Sequence, residues 1–215
     1  QRDQPITRIV LPQKMSCVAL SPRAIYLATG TADGRLYVWH VRSGALLCSF
    51  EAHYRGITAI RWTLDSAAII TASQDTRACV WSWPSIMQYT DLTHTGGPAP
   101  APYATLSDHT LDISDMYVTA GAFPHETRLW TASLDGSVKS WDLASRRLVS
   151  TYVLDEPVRV LAVDPLERFF FVALHERVCR IDLYANENMS GSGSSAGSVL
   201  RFRGGRGASG VSERV

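Results

Sequence analysis

The sequence predicts an all-β protein assembled from repeated sheets, and three observations predict it. One phrase is written three times, as Thr31-Ala-Asp33-Gly-Arg-Leu-Tyr-Val-Trp39, Ser73-Gln-Asp75-Thr-Arg-Ala-Cys-Val-Trp81 and Ser133-Leu-Asp135-Gly-Ser-Val-Lys-Ser-Trp141. Each copy has an Asp six residues before a Trp and a hydroxyl residue two before that Asp. The segments around the phrase are short and rich in Val, Ile, Thr and Trp, and turn residues such as Ser21-Pro22, Asp33-Gly34 and Ser43-Gly44 separate them. That pattern favours short strands over helices. Recurrence at a fixed spacing marks a repeat architecture, in which each unit covers the face of the next.

Taken in order, residues 1–14 read as a linker or strand from a preceding unit. The first unit, 15–51, is expected to hold strands at 15–20, 25–29, 36–41 and 46–50. The second, 52–108, repeats them at 57–62, 68–72 and 78–83, with a last strand at 103–106 after an insertion over 84–102. The third, 109–154, has strands at 113–118, 128–132, 138–143 and 148–153. A fourth unit, 155–202, keeps the hydrophobic pattern at 158–163, 169–173 and 178–183 but is degenerate. It has Ala173, His175 and Ile181 where the third has Ser133, Asp135 and Trp141. Residues 199–202 are expected as its last strand, and 203–215 as a Gly/Arg-rich tail toward a next unit.

Three insertions break the rhythm: 84–102 with Pro98-Ala-Pro100-Ala-Pro102, 120–126, and 186–198, which is nearly all Ser, Gly and Asn. In a propeller of such sheets, the first-to-second and third-to-fourth strand connections emerge on one face. All three insertions therefore belong to one face, which we call the insertion face. Such one-sided elaboration is expected where partners dock.

With 21 basic against 20 acidic residues, no global field argues for nucleic acid or an anionic membrane. Lys14 and Lys139 are the only lysines, and the excess of Arg reads as coding bias. Cys17, Cys48, Cys79 and Cys179 are scattered, without metal-ligand spacing, and suit a reducing compartment. No apolar run reaches the roughly eighteen residues a membrane span needs, and no phosphate-cradling Gly-rich loop is present. His40, His94, His125 and His175 are isolated. No cofactor, metal, membrane or small-molecule substrate is therefore expected. The chain opens at Gln1, and three clear units with one degenerate unit make an arc, so it reads as part of a longer protein.

One constellation looks catalytic. His53 and His109 each stand four residues before the first strand of a unit, completing the sets His53, Ser73, Asp75, Trp81 and His109, Ser133, Asp135, Trp141. A partial set, Thr31, Asp33 and Trp39, lacks the His. Ser, His and Asp together suggest a nucleophilic triad. The alternative is a buried chain in which Asp accepts from His, His bonds the Ser hydroxyl, and that hydroxyl bonds the indole N–H. Repetition favours the second, because an enzyme needs one site and the set is written twice in full. Elsewhere, Asp112 and Asp115 are expected to be solvated, and Arg201, Arg203 and Arg206 around Gly204-Gly205 form a short Arg-Gly-Gly tract that could touch RNA.

With His, hydroxyl, Asp and Trp so placed, the chain resembles the WD-repeat β-propeller family. The literal Trp-Asp pair stands only at Trp141-Asp142, and the usual Gly-His is replaced by Ala52-His53 and Asp108-His109. The resemblance implies about four consecutive blades of a ring of about seven. A narrower resemblance lies in Ala52-His-Tyr-Arg-Gly-Ile-Thr58, in Ser107-Asp-His-Thr-Leu-Asp-Ile-Ser-Asp115, in the Pro-bearing insertion, and in the Trp-less unit ending Val178-Cys-Arg-Ile-Asp-Leu183. These look like the WD-repeat subunits of the nuclear complex that matures pre-60S particles and removes the second internal transcribed spacer. The resemblance covers residues 14–184 and reaches toward Phe202. It implies a non-catalytic scaffold in the nucleoplasm or nucleolus, with a helical-repeat subunit and an AAA-type remodelling ATPase as partners. The family also pairs through a C-terminal helix, which this sequence does not contain. The competing expectation is a substrate receptor or chromatin-peptide reader that works through the face opposite the insertions.

Overall fold

The computed structural model describes residues 13–92, 98–120, 127–183, 198–202 and 212–213. The first sheet contains β1 (Met15–Leu20), β2 (Tyr26–Thr31), β3 (Arg35–His40) and β4 (Ala45–Glu51). The second contains β5 (Ile57–Trp62), β6 (Ala68–Ser73) and β7 (Ala78–Ser82), then, beyond the helix α1 (Trp83–Leu92), β8 (Ala104–Leu106). β9 (Ile113–Thr119), β10 (Arg128–Ser133), β11 (Ser137–Asp142) and β12 (Arg147–Leu154) build the third. β13 (Val160–Val163), β14 (Phe169–Ala173) and β15 (Val178–Asp182) build the fourth. Each is an antiparallel meander, as all-β repeat blades require.

The core lies in three layers, each between consecutive sheets. Phe50, Ile57, Trp62 and Trp81 fill the first, Ile70, Ile113, Met116, Leu129 and Trp141 the second, and Trp130, Tyr152, Leu161 and Phe170 the third. The innermost strands β1, β5, β9 and β13 run side by side. They are joined by a repeated bond from a hydroxyl on one to a backbone carbonyl of the next or just before it: Ser16 to Ile57 (2.5 Å), Thr58 to Ile113 (2.6 Å) and Ser114 to Val158 (2.6 Å).

Turn chemistry sets the strand ends. The turns between second and third strands place Gly34 (φ 89°), Thr76 (φ 72°) and Gly136 (φ 79°) in the left-handed region. The Gly34 carbonyl accepts the N–H of Ala52 and the Gly136 carbonyl that of Leu154, tying each turn to the end of the fourth strand. A Cβ at Gly34 would lie 2.2 Å from the His53 carbonyl oxygen, and one at Gly136 would lie 2.9 Å from that of Leu154. Thr76 brings a branched Cβ to this crowded position. There β8 stops after three residues, where β4 has seven and β12 eight.

Two expectations are corrected. The strand expected over 78–83 ends at Ser82, and the insertion 84–102 opens within a helix: Trp83–Leu92 is helical, with Pro84 in the first turn, where its missing N–H costs nothing. Ile86 is fully buried, and Trp83 packs 4.4 Å from Tyr26 and 5.1 Å from Trp62 between ring centroids, so the helix staples the first two sheets together. β16 (Ser198–Phe202), expected as the last strand of the fourth unit, instead lies parallel to β12 in the third sheet, with Ser150 opposite Ser198 and Leu154 opposite Phe202. β17 (Ser212–Glu213) pairs antiparallel with it. An outer strand presents a row of unpaired backbone groups, and β12, eight residues long, offers more of them than the five-residue β15.

Candidate interaction surface and the buried hydrogen-bond chains

The residues of the apparent triad lie beneath one face of the second and third sheets. His53 Nδ1 is 2.9 Å from the Asp75 carboxylate, and His53 Nε2 is 2.7 Å from Thr71 Oγ1, which also accepts the Trp81 indole N–H at 2.9 Å. In the third sheet, the matching distances from His109 to Asp135, from His109 to Thr131 and from Trp141 to Thr131 are 3.0, 2.8 and 2.9 Å. A carboxylate only accepts, so the imidazole proton sits on Nδ1, Nε2 receives the threonine O–H, and the chain runs from Trp to Thr to His to Asp.

The hydroxyl at its centre is therefore not Ser73 or Ser133. Ser73 Oγ donates to the Arg55 and Gly56 carbonyls and accepts the Asp75 N–H, and Ser133 likewise bonds the Leu111 carbonyl and the Asp135 N–H. These serines pin the Asp-bearing turn. In the first sheet, Trp39 donates to Thr29 at 3.3 Å, whereas Thr31 bonds Asp33 and the Arg35 carbonyl. The sequence held a signal for this, because Thr29, Thr71 and Thr131 each stand ten residues before the Trp. It is a more uniform signal than the mixed Ser and Thr of the phrase.

Electrostatics fit a structural chain. Burial alone would raise the Asp75 carboxyl, but bonds from His53 and from the N–H groups of Arg77 and Tyr54 outweigh it and hold it below the usual carboxylate range. Burial also opposes ionisation of Asp135. There His109, Ser137 and the Thr110 N–H prevail by a wider margin, and Asp135 is held well below that range. The His53 and His109 side chains are only 0% and 1% exposed, as buried structural bonds require. Burial pushes the Cys48 and Cys79 thiols up to about 11, leaving neutral, poorly nucleophilic groups.

Asp115 is not solvated. It lies in β9 and accepts from Arg61 Nη2 at 3.1 Å and from the Leu161 N–H at 3.1 Å, joining the second, third and fourth sheets. Local sequence carries no sign of this, since both donors come from other units. Arg201 lies in β16, and Arg203 and Arg206 lie outside the described residues.

The two faces differ in what they expose. Opposite the insertions, Tyr54 is 87% exposed beside Arg77. On the insertion face, a cavity of about 290 Å³ opens at the seam of the second and third sheets, between Thr63, Asp65 and Ala68 on one side and Thr127 and Leu143 on the other. Tyr103, which follows the Pro-rich run directly, stands on its lining, and the Arg146 guanidinium lies 3.9 Å from its ring centroid.

The family described as WD domain, G-beta repeat matches residues 8–40 and 44–82. Among curated proteins, the chain is 42% identical over 199 residues to the pre-rRNA-processing protein IPI3 of Mycosarcoma maydis, covering 88% of this chain and 34% of that protein. It is 31% identical over 180 residues to the pre-rRNA-processing protein crb3/ipi3 of Schizosaccharomyces pombe, covering 84% and 40%. To WD repeat-containing protein 18 of Danio rerio it is 32% identical over 171 residues, covering 80% and 38%. The chain thus spans between a third and two-fifths of these relatives. Among solved structures, the WD40 repeats of RRP9 superpose with a TM-score of 0.65 at 19% identity, covering 82% of this chain and 52% of that one, a likeness of fold.

Proposed function

This chain belongs to the WD-repeat β-propeller family, and on that premise we propose that it is a non-catalytic protein-interaction scaffold in pre-rRNA processing and maturation of the large ribosomal subunit. One observation carries the reading: relatives named for pre-rRNA processing match across most of this chain in distantly related fungi. The scaffold part is supported by the burial of every His–Asp pair that resembles catalytic machinery and by the one-sided insertions. In this reading the protein acts in the nucleus and joins a helical-repeat subunit and an AAA-type remodelling ATPase on pre-60S particles.

The test is affinity purification of the full chain from nuclear extract, followed by sequencing of bound RNA and identification of bound proteins. Enrichment of precursors that retain the second internal transcribed spacer, together with large-subunit proteins, is expected. A purified complex lacking both overturns the assignment.

A further inference from the structure

We infer that the cavity between the second and third sheets on the insertion face docks one large apolar side chain of an acidic protein segment, whose carboxylates meet Arg146 and Arg147. The inference rests on the scaffold reading for its setting, since it gives the insertion face a kind of partner, whereas the site itself stands on geometry and charge.

The cavity, about 290 Å³, lies just below the ~300 Å³ at which small-ligand pockets begin, so it suits a single side chain better than a cofactor. Ala67, Ala68, Val80, Leu143 and Ala144 give it a largely apolar lining. Among the polar groups beside them, Thr63 Oγ1 accepts the Ala68 N–H at 3.0 Å and donates to the Ala68 carbonyl at 3.3 Å. The Asp65 carboxylate accepts the Ala67 N–H at 2.9 Å. Thr127 has a partner as well, and its carbonyl accepts the Leu143 N–H at 3.2 Å. The wall is thus bonded within itself before any partner arrives. A nucleobase would bring N–H and C=O groups that need partners of their own, and each left without one costs free energy. A Leu, Met or Phe side chain needs none and gains from the apolar area it covers. The lining therefore selects a protein occupant.

Charge then chooses among protein segments. On this face Glu167 is held by Arg128 and Asp164 by Arg168, while Asp65 and Asp142 accept N–H groups of their own turns. Arg146 and Arg147 follow the lining residues Leu143 and Ala144, are exposed, and enter no ion pair among the described residues. The same holds of Arg23 and Arg42, in the turns of the first sheet on this face. On the opposite face, the exposed groups outside ion pairs carry both signs, Asp33 and Glu176 with Arg55 and Arg159. The nearly balanced charge of the whole chain conceals this one-sided surplus. An apolar socket beside unpaired cations steers and orients a segment of opposite sign.

Tyr103 joins the socket to the charge. It lines the cavity, is 51% exposed, and is tied to the second sheet by its N–H, which donates to the Val80 carbonyl at 2.7 Å. The Arg146 guanidinium carbon lies 3.9 Å from its ring centroid, so the ring, and no carboxylate of this chain, holds that cation. A carboxylate arriving from a partner adds an ion pair there without breaking one already made.

The experiment is fluorescence anisotropy of the full chain with labelled peptides carrying one Leu, Met or Phe flanked by Glu and Ser. Counterparts have Ala as the central residue, or Lys in place of each Glu. At least one acidic peptide should bind, its Ala counterpart about 30-fold more weakly, and its Lys counterpart not at all at low salt. Ala144→Trp, at an exposed turn position on the lining, should fill the socket and weaken the acidic peptide by about tenfold or more, with the melting temperature unchanged. Arg146→Glu with Arg147→Glu should weaken it by about tenfold at low salt and flatten its salt dependence. The inference is overturned if none of the three acidic peptides binds, if the Ala or Lys counterparts bind equally well, or if neither variant changes the affinity. It is also overturned if a labelled single-stranded RNA binds more tightly and both variants release it, which would give the site to nucleic acid. Self-association of the chain that Ala144→Trp abolishes would overturn it in favour of a second copy. None of these results depends on whether the purified complex carries pre-rRNA, so the inference and the reading fail separately.

Discussion

The third and fourth sheets are neighbours built on the same meander, yet they are held by different means. The third carries its own polar chain from Trp141 through Thr131 and His109 to Asp135. Among the described residues the fourth has no such chain and three strands. It reaches into its neighbour instead. Glu167, in its first turn at φ 52°, accepts from Thr119, from Arg128 at 2.8 Å and from the Trp130 indole at 3.3 Å. Phe170 packs 5.5 Å from Trp130 and 5.1 Å from Tyr152 between ring centroids. A blade can lose its signature and keep its place if its stability comes from the seam rather than from within. The comparison also shows why the phrase was needed to find the repeats but not to hold every one of them.

Substitutions at five positions probe this contrast, beginning with the largest effect. Phe170→Ala removes a side chain with no exposure from the seam and should cost about 3–5 kcal/mol. Hydrogen exchange should place the loss in the fourth sheet before the third. Equal loss in both would show that the fourth sheet is not the dependent partner.

Thr131→Val keeps the shape but leaves the Trp141 N–H and His109 Nε2 without a partner, so about 1–3 kcal/mol should be lost in denaturant unfolding. The exposed His175→Asn, at the matching Asp position of the fourth sheet, should stay within about 0.5 kcal/mol. The chain also sets an acid limit. Asp135 and Asp75 titrate below their unfolded value near ~3.9, so their contribution is complete above that pH and fades as pH falls below it. Asp135→Asn should flatten the acid limb of the melting curve and leave pH dependence above about 5 unaltered.

One substitution should bring a gain. Thr76→Gly relieves a β-branched residue held at φ 72° and should stabilise the second sheet by about 1 kcal/mol, read as a raised melting temperature. A loss would mean that the Thr76 side chain makes up for its backbone strain.

Most of the architecture was legible because strand periodicity and turn chemistry are local. Thr31, Asp75 and Ser133 mark strands and turns with no knowledge of their neighbours, and the strands fall within about two residues of their expected positions. The misreadings have one physical source, contacts made across units. Trp83 reads as the end of a strand and 84–102 as a Pro-rich insertion, yet Ile86 and Trp83 pack against the first two sheets from a helix over Trp83–Leu92. Asp115 looks solvated until Arg61 and Leu161 arrive from other blades. The hydroxyl was misassigned by two residues, because which strand position faces an indole depends on pairing register, not on proximity in the phrase.

The bonds from the hydroxyls of Ser16, Thr58 and Ser114 all point the same way along the chain. In the fourth sheet the corresponding position is Arg159, and the series of hydroxyls ends. The row of sheets therefore has a giving end and a receiving end, as a line of people each with a hand on the next shoulder has a front and a back. A further sheet can extend that series only before β1, where its hydroxyl would meet a carbonyl of the first sheet. Two copies facing each other through the same end could not continue it, so only head-to-tail growth preserves the pattern.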